Sequence, residues 1–452
     1  MEAVQHFLDL IRDYVWGSPL LILLVGTGIY LTFRLGLLQL RLLPYSLKLV
    51  FSREQDTKSE GDISHFQALM TAMAATIGVG NIIGVATAIV LGGPGALFWM
   101  WVAGFFGMAT KYGEAILAVK YRVRDSKGEM SGGPMYYLEY GLKQRWLGVL
   151  FALFGALAAF GIGNGTQAKA VADAMNNTFN IPHSTTGIVL ILFVGLVVLG
   201  GIKSIGKVAS FVVPFMALFY LLSCIYILIM NFHLVPEALS IVFTYAFTGE
   251  AALGGSVGAA IRFGIARGLF SNEAGLGSAP IAAAAAKSDI PGRQALVSMT
   301  QVLFDTLIMC TMTGLTIIMS GTWQDASISA SSLTSASWAT FLGGLGPILV
   351  NIGIVFFASS TLIGWGYYGE KCFQYLLDSP TAIFIYRIIF VLFIYIGATV
   401  SLDVIWTFSD ILNGLMAFPN LIGLIGLSSV IVIETRRLQR KIKEEKEAGI
   451  NI

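Results

Sequence analysis

The sequence predicts an all-α integral membrane protein with eleven transmembrane helices: one extra N-terminal helix, then an inverted five-plus-five repeat. Three observations predict it. The composition is apolar and poor in charge, Lys and Arg recur on one side of the apolar runs, and two of those runs are interrupted at matching places. Of the 452 residues, 56% are hydrophobic and 12% charged, and the mean hydropathy is +0.77. A soluble domain carries about 25% charged residues, so this chain cannot cover a soluble globule of its size. The 28 basic and 26 acidic residues leave a net charge of +2, which excludes a strongly basic nucleic-acid binder. The apolar content excludes disorder. Cys224, Cys310 and Cys372 lie in or beside apolar runs, an odd, scattered set that fits neither a disulfide framework nor a zinc site. The start carries Glu2, Asp9, Arg12 and Asp13, so no cleavable signal peptide is expected.

A helix crosses the hydrocarbon core in about 20 residues. Eleven runs qualify, at 19–38, 66–90, 96–120, 147–176, 184–201, 205–230, 256–286, 293–320, 346–374, 381–400 and 405–434, numbered here as spans one to eleven. The longer ones predict tilt or a break. Their continuity argues against a membrane barrel, whose strands alternate. Orientation follows from basic residues in short loops. The first connection holds Arg41, Lys48, Arg53 and Lys58, and the third holds Arg122, Arg124, Lys127, Lys143 and Arg145. Lys203, Lys207, Lys287, Arg293, Lys371 and a tail running from Arg436 to Lys446 fall on the same side, whereas loop 321–345 has no Lys or Arg. The N-terminus is therefore expected outside and the C-terminus in the cytoplasm. The chain reads as one membrane domain: 19–38 as the extra helix, 66–230 and 256–434 as the two halves, and 435–452 as a cytoplasmic tail. Loops 231–255 and 321–342 are placed outside, with an amphipathic stretch at 236–247. A short helix is expected at 132–139, packed under the bundle. The charged stretch 434–447 reads as a solvated helix, its basic part suited to anionic lipid. Aromatic residues at 98–101 read as an outer-interface belt.

Span two contains Ala74-Ala75-Thr76-Ile77-Gly78-Val79-Gly80-Asn81, and span seven contains Gly268-Leu269-Phe270-Ser271-Asn272-Glu273-Ala274-Gly275-Leu276-Gly277-Ser278. With span one set aside, these are the first helix of each five-helix half, and the halves start from opposite sides, which is the pattern of an inverted repeat. Lipid satisfies no unwound backbone group, so a broken helix must line a cavity or bind something. Half-helix N-termini can hold a carboxylate, and freed carbonyls can coordinate a cation. A zwitterionic amino acid carried with a cation supplies both charges. Close packing through Gly78 and Gly80 is the plainer alternative at either break alone.

The run Gly93-Pro94-Gly95-Ala96-Leu97-Phe98-Trp99-Met100-Trp101 resembles the signature of the alanine or glycine:cation symporter family. So do Gly80-Asn81-Ile82, Gly132-Gly133-Pro134-Met135-Tyr136-Tyr137 and the span-seven string continued through Ala279-Pro280. Membership implies a sodium- or proton-coupled importer of small neutral amino acids in the plasma membrane, with a leucine-transporter-like inverted repeat. The stretch 74–81 is also similar to the first broken helix of the neurotransmitter:sodium symporters. That likeness implies one cation site from the carbonyls of Ala74 and Ile77 with span-nine groups of Ala358, Ser360 or Thr361. It implies another from the Thr76 carbonyl, the Asn81 side chain and a span-eight group. In those relatives that group is an amide; here the nearest polar candidate is Asp305, which could bind sodium or carry a proton.

Asp305 is an intramembrane carboxylate and hence a functional candidate by default, with a structural hydrogen bond to a helix terminus as its alternative. Thr76, Gly78, Gly80, Ser271 and Asn272 lie at the breaks and are candidates for substrate contact or capping. Glu273 reads as the partner of Lys111 or Arg267 in a buried salt bridge ahead of direct coupling, and Lys111 and Glu114 are spaced to pair with each other. Gln167 lies on the span that faces the substrate in the resembled fold; its amide suits a carboxylate or ammonium, or a helix-packing contact. Trp365 could roof the pocket or simply pack. Arg267 and Asp410 are candidates for an outer gate, with a purely structural pair the preferred reading. The histidines His6, His65, His183 and His233 lie near segment ends, which leaves no proton wire, metal cluster or H-E-x-x-H motif, and no enzyme chemistry is expected.

The reading is a symporter importing alanine, glycine or a similar small neutral amino acid with sodium by alternating access, with proton coupling as the alternative. Its partners are the amino acid, the sodium ion and membrane lipid, with no nucleic acid and no organic cofactor; the oligomeric state stays open. A channel would need a continuous polar pore, and an amino-acid sensor would bind without flux.

Overall fold

A computed structural model describes residues 2–52, 59–248, 257–400 and 403–448. Arg53, Lys58 and the part of loop 231–255 beyond residue 248 lie outside the described residues. The protein is mostly helical, as predicted. Among the described residues, seven helices are long and apolar enough to cross a bilayer: Val4–Arg34, Arg145–Phe179, Gly201–Met230, Pro291–Ser320, Leu345–Leu376, Pro380–Thr399 and Thr407–Gly426. The remaining predicted spans take other forms. Span two is His65–Thr76 and Ile83–Gly92 on either side of a break. Span three is Ala96–Lys120, 25 residues or roughly 37 Å of helix. Span five is the 16-residue helix His183–Val198. Span seven is Val257–Asn272 and Pro280–Ala284 around a second break.

Local chemistry sets these ends. Ser64 caps span two in a reciprocal capping box with Gln67. Gly93, at φ 74°, ends its second half just ahead of Pro94. Pro291 and Pro380 begin spans eight and ten, where a missing N–H costs nothing. The segment expected under the bundle is present as Pro134–Tyr136 followed by a π-helical turn Tyr137–Gly141, with Tyr137 fully buried. Helix Val235–Thr248 occupies the amphipathic loop stretch and buries Ala238, Val242 and Ala246.

Three features depart from expectation. Helix Glu2–Val15 precedes span one. It packs Leu8, Ile11 and Val15 against the bundle while Val4, Phe7, Leu10 and Tyr14 stay exposed. Span eleven ends at Gly426, not 434, and a separate helix Ser428–Glu447 follows. That helix is docked and not freely solvated: Ile431, Glu434, Leu438 and Glu445 are buried, Lys120 Nζ lies 2.6 Å from Glu434 Oε1, and Arg293 pairs with Glu445. Spans four and eight also contain π-helical segments, Gly161–Gly165 and Leu303–Cys310. Such wide turns recur at functional sites, and here they precede Gln167 and contain Asp305.

The two ends of span two differ. At its start, Asp62 and Lys287 exchange backbone hydrogen bonds with Ala285 and Ile63, at 2.8 Å each. Arg122 donates to the carbonyls of Glu60, Ala284, Ala286 and Ser288. A two-stranded hairpin, Val123–Arg124 with Met130–Ser131, is held to span nine by Lys371, whose Nζ lies 2.8 Å from Asp125 Oδ2. Toward its other end lies a cavity of about 420 Å³ whose lining includes Val79, Gly80, Ile162 and Phe270, with Arg12, Arg267 and Asp410 on the walls. The chain is thus tied shut at one end and open to a cavity at the other.

Candidate cation and substrate site

Helix His65–Thr76 ends because Ile77 and Gly78 turn to extended backbone, with ψ of 91° and −156°. Span nine faces this turn. Ser360 Oγ lies 3.2 Å from the Ala74 carbonyl, 3.5 Å from that of Ile77 and 2.8 Å from that of Phe357. Thr361 Oγ1 lies 3.4 Å from the Ile77 carbonyl and 3.0 Å from that of Phe357. Two hydroxyl protons cannot serve all five approaches. The shortest are to Phe357 in the hydroxyls' own helix; with those made, Ser360 faces the Ala74 and Ile77 carbonyls, and Thr361 that of Ile77, with lone pairs. Five uncharged oxygens from two spans therefore converge without enough protons between them. Such a set could hold a hard monovalent cation, which takes oxygen ligands.

Gly78 is required here. A Cβ on it would come within 2.5 Å of Thr361 Oγ1 and 3.4 Å of Gln167 Oε1. Of the expected span-nine ligands, Ser360 and Thr361 are in place. Ala358 is buried, but the carbonyl that meets these hydroxyls belongs to Phe357, one residue earlier. The one-residue offset follows from the helix, which aims i−3 and i−4 carbonyls at a side-chain hydroxyl.

A second group surrounds Asp305. Asn81 Oδ1 accepts from the Gly78 N–H at 3.0 Å, and its Nδ2 donates to Asp305 Oδ1 at 2.8 Å. Ser271 and Thr306 donate to Asp305 Oδ2 at 2.9 and 2.8 Å. Asp305 thus joins both breaks through Asn81 and Ser271. Thr76 Oγ1 bonds back to Ala72 and accepts from Gln301 Nε2 at 2.9 Å. Gln301 joins this group without a sequence expectation behind it. It is the span-eight amide, one turn before Asp305, and its Nε2 also lies 3.4 Å from the Asn272 carbonyl while Oε1 is buried without a hydrogen-bond partner. The signal available was an uncompensated amide inside an apolar run.

Gln167 donates to the Ile162 carbonyl at 3.0 Å, and its Oε1 is buried and unpartnered beside Gly78. Gly80 faces Ser271 and lines the cavity. Gly78 is therefore brought to Gln167 and Gly80 to Ser271, and of these four Gly80 lines the cavity. Asn272 is not directed there: Oδ1 caps the Ala274 N–H at 2.8 Å and Nδ2 donates to Thr306. Trp365 Nε1 donates to Glu273 Oε1 at 3.0 Å, and its ring base sits against Gly163, where a Cβ would come within 2.3 Å.

Glu273 therefore binds Trp365 and Ser278, not Lys111 or Arg267. Lys111 Nζ lies 4.0 Å from Glu114 Oε2, the expected pair. Arg267 lies over the Phe270 ring, 5.6 Å from its centroid, and shares the cavity wall with Asp410 without forming an ion pair. The three cysteines are buried free thiols, and no cluster of His, Cys, Asp and Glu fit for a metal ion occurs among the described residues.

The sequence model described as the sodium:alanine symporter family matches residues 1–451. The chain belongs to the sodium:alanine symporter family. It is 56% identical over 442 residues to the sodium/alanine symporter AgcS of Methanococcus maripaludis, covering 96% of this chain and 97% of that one. It is 38% identical to the probable sodium/glutamine symporter GlnT of Bacillus subtilis, covering 99% and 93%. Among solved structures it is similar to MhsT in complex with L-phenylalanine, with a TM-score of 0.56, 14% identity and coverage of 83% and 98%. A sodium-coupled sialic acid symporter in a substrate-bound outward-open state matches with a TM-score of 0.56, 13% identity and coverage of 92% and 86%. At these identities the structural likeness concerns the fold, which is leucine-transporter-like as the sequence resemblance implied. As a member of the sodium:alanine symporter family, the chain is a multi-pass membrane transporter for sodium-coupled amino acid symport.

Proposed function

We propose that the protein imports a small neutral amino acid, alanine or glycine, across the plasma membrane with sodium, by alternating access between its two five-helix halves. The observation that carries this reading is the set of five oxygens from Ala74, Ile77, Phe357, Ser360 and Thr361. Sodium held there bridges spans two and nine and orders the unwound turn. The amino acid lies beside it, its carboxylate toward the free N–H groups of the break and its ammonium toward Gln167 Oε1. Each ligand then favours the other by linkage. Asn81 and Asp305 supply a second cation position with the Thr76 carbonyl. Trp365, pinned by Glu273, limits the side chain the pocket accepts. The N-terminus faces outward and the C-terminus the cytoplasm, with eleven crossings.

The test is uptake of labelled alanine into sealed vesicles containing the purified protein, under an imposed sodium or proton gradient, with glycine and D-alanine as competitors. Concentrative uptake driven by sodium alone supports the reading. Uptake driven by protons alone moves coupling to the buried carboxylates of Asp305 and Glu273. No concentrative uptake under either gradient overturns it.

A further inference from the structure

A second cavity, of about 430 Å³, is lined in part by Ser360 of the cation group and shares no lining residue with the first. It runs between spans four, five, six and nine, with Val171, Val189, Phe193, Val212 and Phe356 among its walls and Ser360 at its inner end. No charged residue lines it, and its polar groups are four hydroxyls, those of Thr185, Thr186, Ser359 and Ser360. Its rim continues into an apolar outer surface, where Val189 is 59%, Leu192 62% and Phe211 75% exposed. In a chain that spans a bilayer, such a surface meets lipid tails. Thr186 adds an independent observation. It is 5% exposed, lines the groove, and its Oγ1 is buried without a hydrogen-bond partner. A buried hydroxyl left unpaired is costly, and this one can donate to an acceptor that enters the groove. It sits in the first turn of His183–Val198, at the end of a span, where a bilayer places its interfacial polar groups. From Thr186 to Phe193 the helix descends roughly 10 Å.

We propose that this groove binds one acyl chain of a glycerolipid, with an ester oxygen accepting from Thr186 and the chain packed inward against Ser360, and that its occupancy tunes sodium affinity. The tuning rests on the function proposed above; the lipid site does not. The link is direct. Ser360 forms the inner end of the groove and presents its hydroxyl to the Ala74 and Ile77 carbonyls. A chain packed on one side of it restricts the hydroxyl to the orientation that completes the cation group, and linkage makes occupancy and sodium binding cooperative.

The test uses the full chain in vesicles of phosphatidylethanolamine and phosphatidylglycerol, with a trace of phospholipid bearing a photoreactive diazirine in its acyl chain. Crosslinks mapped by mass spectrometry are expected to exceed those at exposed Phe211 and Leu392 several-fold at Val171 and Val212. Val355→Phe, which narrows the groove, lowers the groove crosslinks at least threefold. Thr186→Val, which keeps the shape and removes the donor, lowers them less. Val355→Phe raises the half-saturating sodium concentration for uptake at least threefold, and Thr186→Val raises it by less, in the order of their groove crosslinking. Crosslinks spread evenly over the groove, Phe211 and Leu392 mean bulk lipid only and overturn the site. Reduced groove crosslinking with unchanged sodium dependence overturns the tuning. If the wild type shows no sodium-driven uptake, the proposed function fails and the crosslink map alone decides the lipid site.

Discussion

The two breaks occupy matching places in the two halves, yet they are finished in opposite ways. At span two the unwound turn is lined by neutral oxygens whose lone pairs outnumber the protons available to them. At span seven the protein satisfies its own backbone. Asn272 caps the Ala274 N–H, Glu114 Oε1 accepts from the Gly275 N–H at 3.0 Å, and Asn420 bonds both Glu114 and the Gly275 carbonyl. Glu273 takes a positive φ of 58°, and Gly275 and Gly277 follow at 90° and 87°. That sharp turn is uncommon for a residue with a side chain, and the side-chain bonds from spans three and eleven hold it. The lesson is that one break leaves neutral oxygens in excess of the protons that could join them, whereas the other is a fixed support that presents Ser271 to Gly80.

This contrast predicts different losses. The largest is expected at the fixed break. Glu114→Ala leaves the Gly275 N–H and the buried Lys111 without their partner and removes one of the acceptors of Asn420 Nδ2, at a cost of about 3–5 kcal/mol. Thermal denaturation of the purified protein should fall by many degrees; an unchanged melting temperature would contradict the supporting role. At the open break, Thr361→Val should raise the half-saturating sodium concentration at least tenfold, about 1.4 kcal/mol, with the sodium-free melting temperature nearly unchanged. If instead stability falls and sodium dependence does not move, the two breaks are not distinct.

Gln301 lies between them, bonded to Thr76 on one side and near the Asn272 carbonyl on the other. Gln301→Leu should therefore shift both readouts modestly, a few-fold in sodium dependence and about 1 kcal/mol in stability. An effect confined to either readout would assign this amide to one break only.

The smallest effect concerns the closed end. Burial alone would raise the Asp125 carboxyl, but the ion pair with Lys371 and hydrogen bonds from Lys371, Gln374 and Glu129 hold it below the usual carboxylate range. A depressed carboxylate stabilises the fold above its unfolded pKa, and that stability is lost as the pH falls through the folded value. Hydrogen exchange across 123–131 should thus quicken once the pH drops below the ordinary carboxylate range, ahead of exchange in the spans, and Asp125→Asn should remove most of that dependence. Exchange in the hairpin that stays flat with pH would count against the lock.

Much of this was legible along the chain because lipid imposes strict conditions. A span must be long, apolar and internally hydrogen-bonded, so the apolar runs, the two glycine-rich interruptions and the intramembrane carboxylate of Asp305 stand out as linear signals. Ser360 and Thr361 followed from resemblance. Phe357 in place of Ala358 did not, because backbone carbonyls carry no side-chain signature and only helix phase tells which one turns inward. The Glu2–Val15 helix has no linear hydropathy signal because its polar residues interrupt the apolar pattern. The docking of Ser428–Glu447 has no clear linear signal because its buried stripe of Ile431, Thr435 and Leu438 is diluted by charge.

The sequence by itself determined the membrane class, the helical fold, the family and the two places where the backbone must open, since each depends on local composition and spacing. Tertiary structure alone decided which oxygens meet. Glu273 went to Trp365 and not to Lys111, Asn272 capped its own turn, and Asn81 reached Asp305 across 224 positions of chain. Such partnerships depend on distances between helices far apart in sequence, where a shift of one turn exchanges one carbonyl or carboxylate for another.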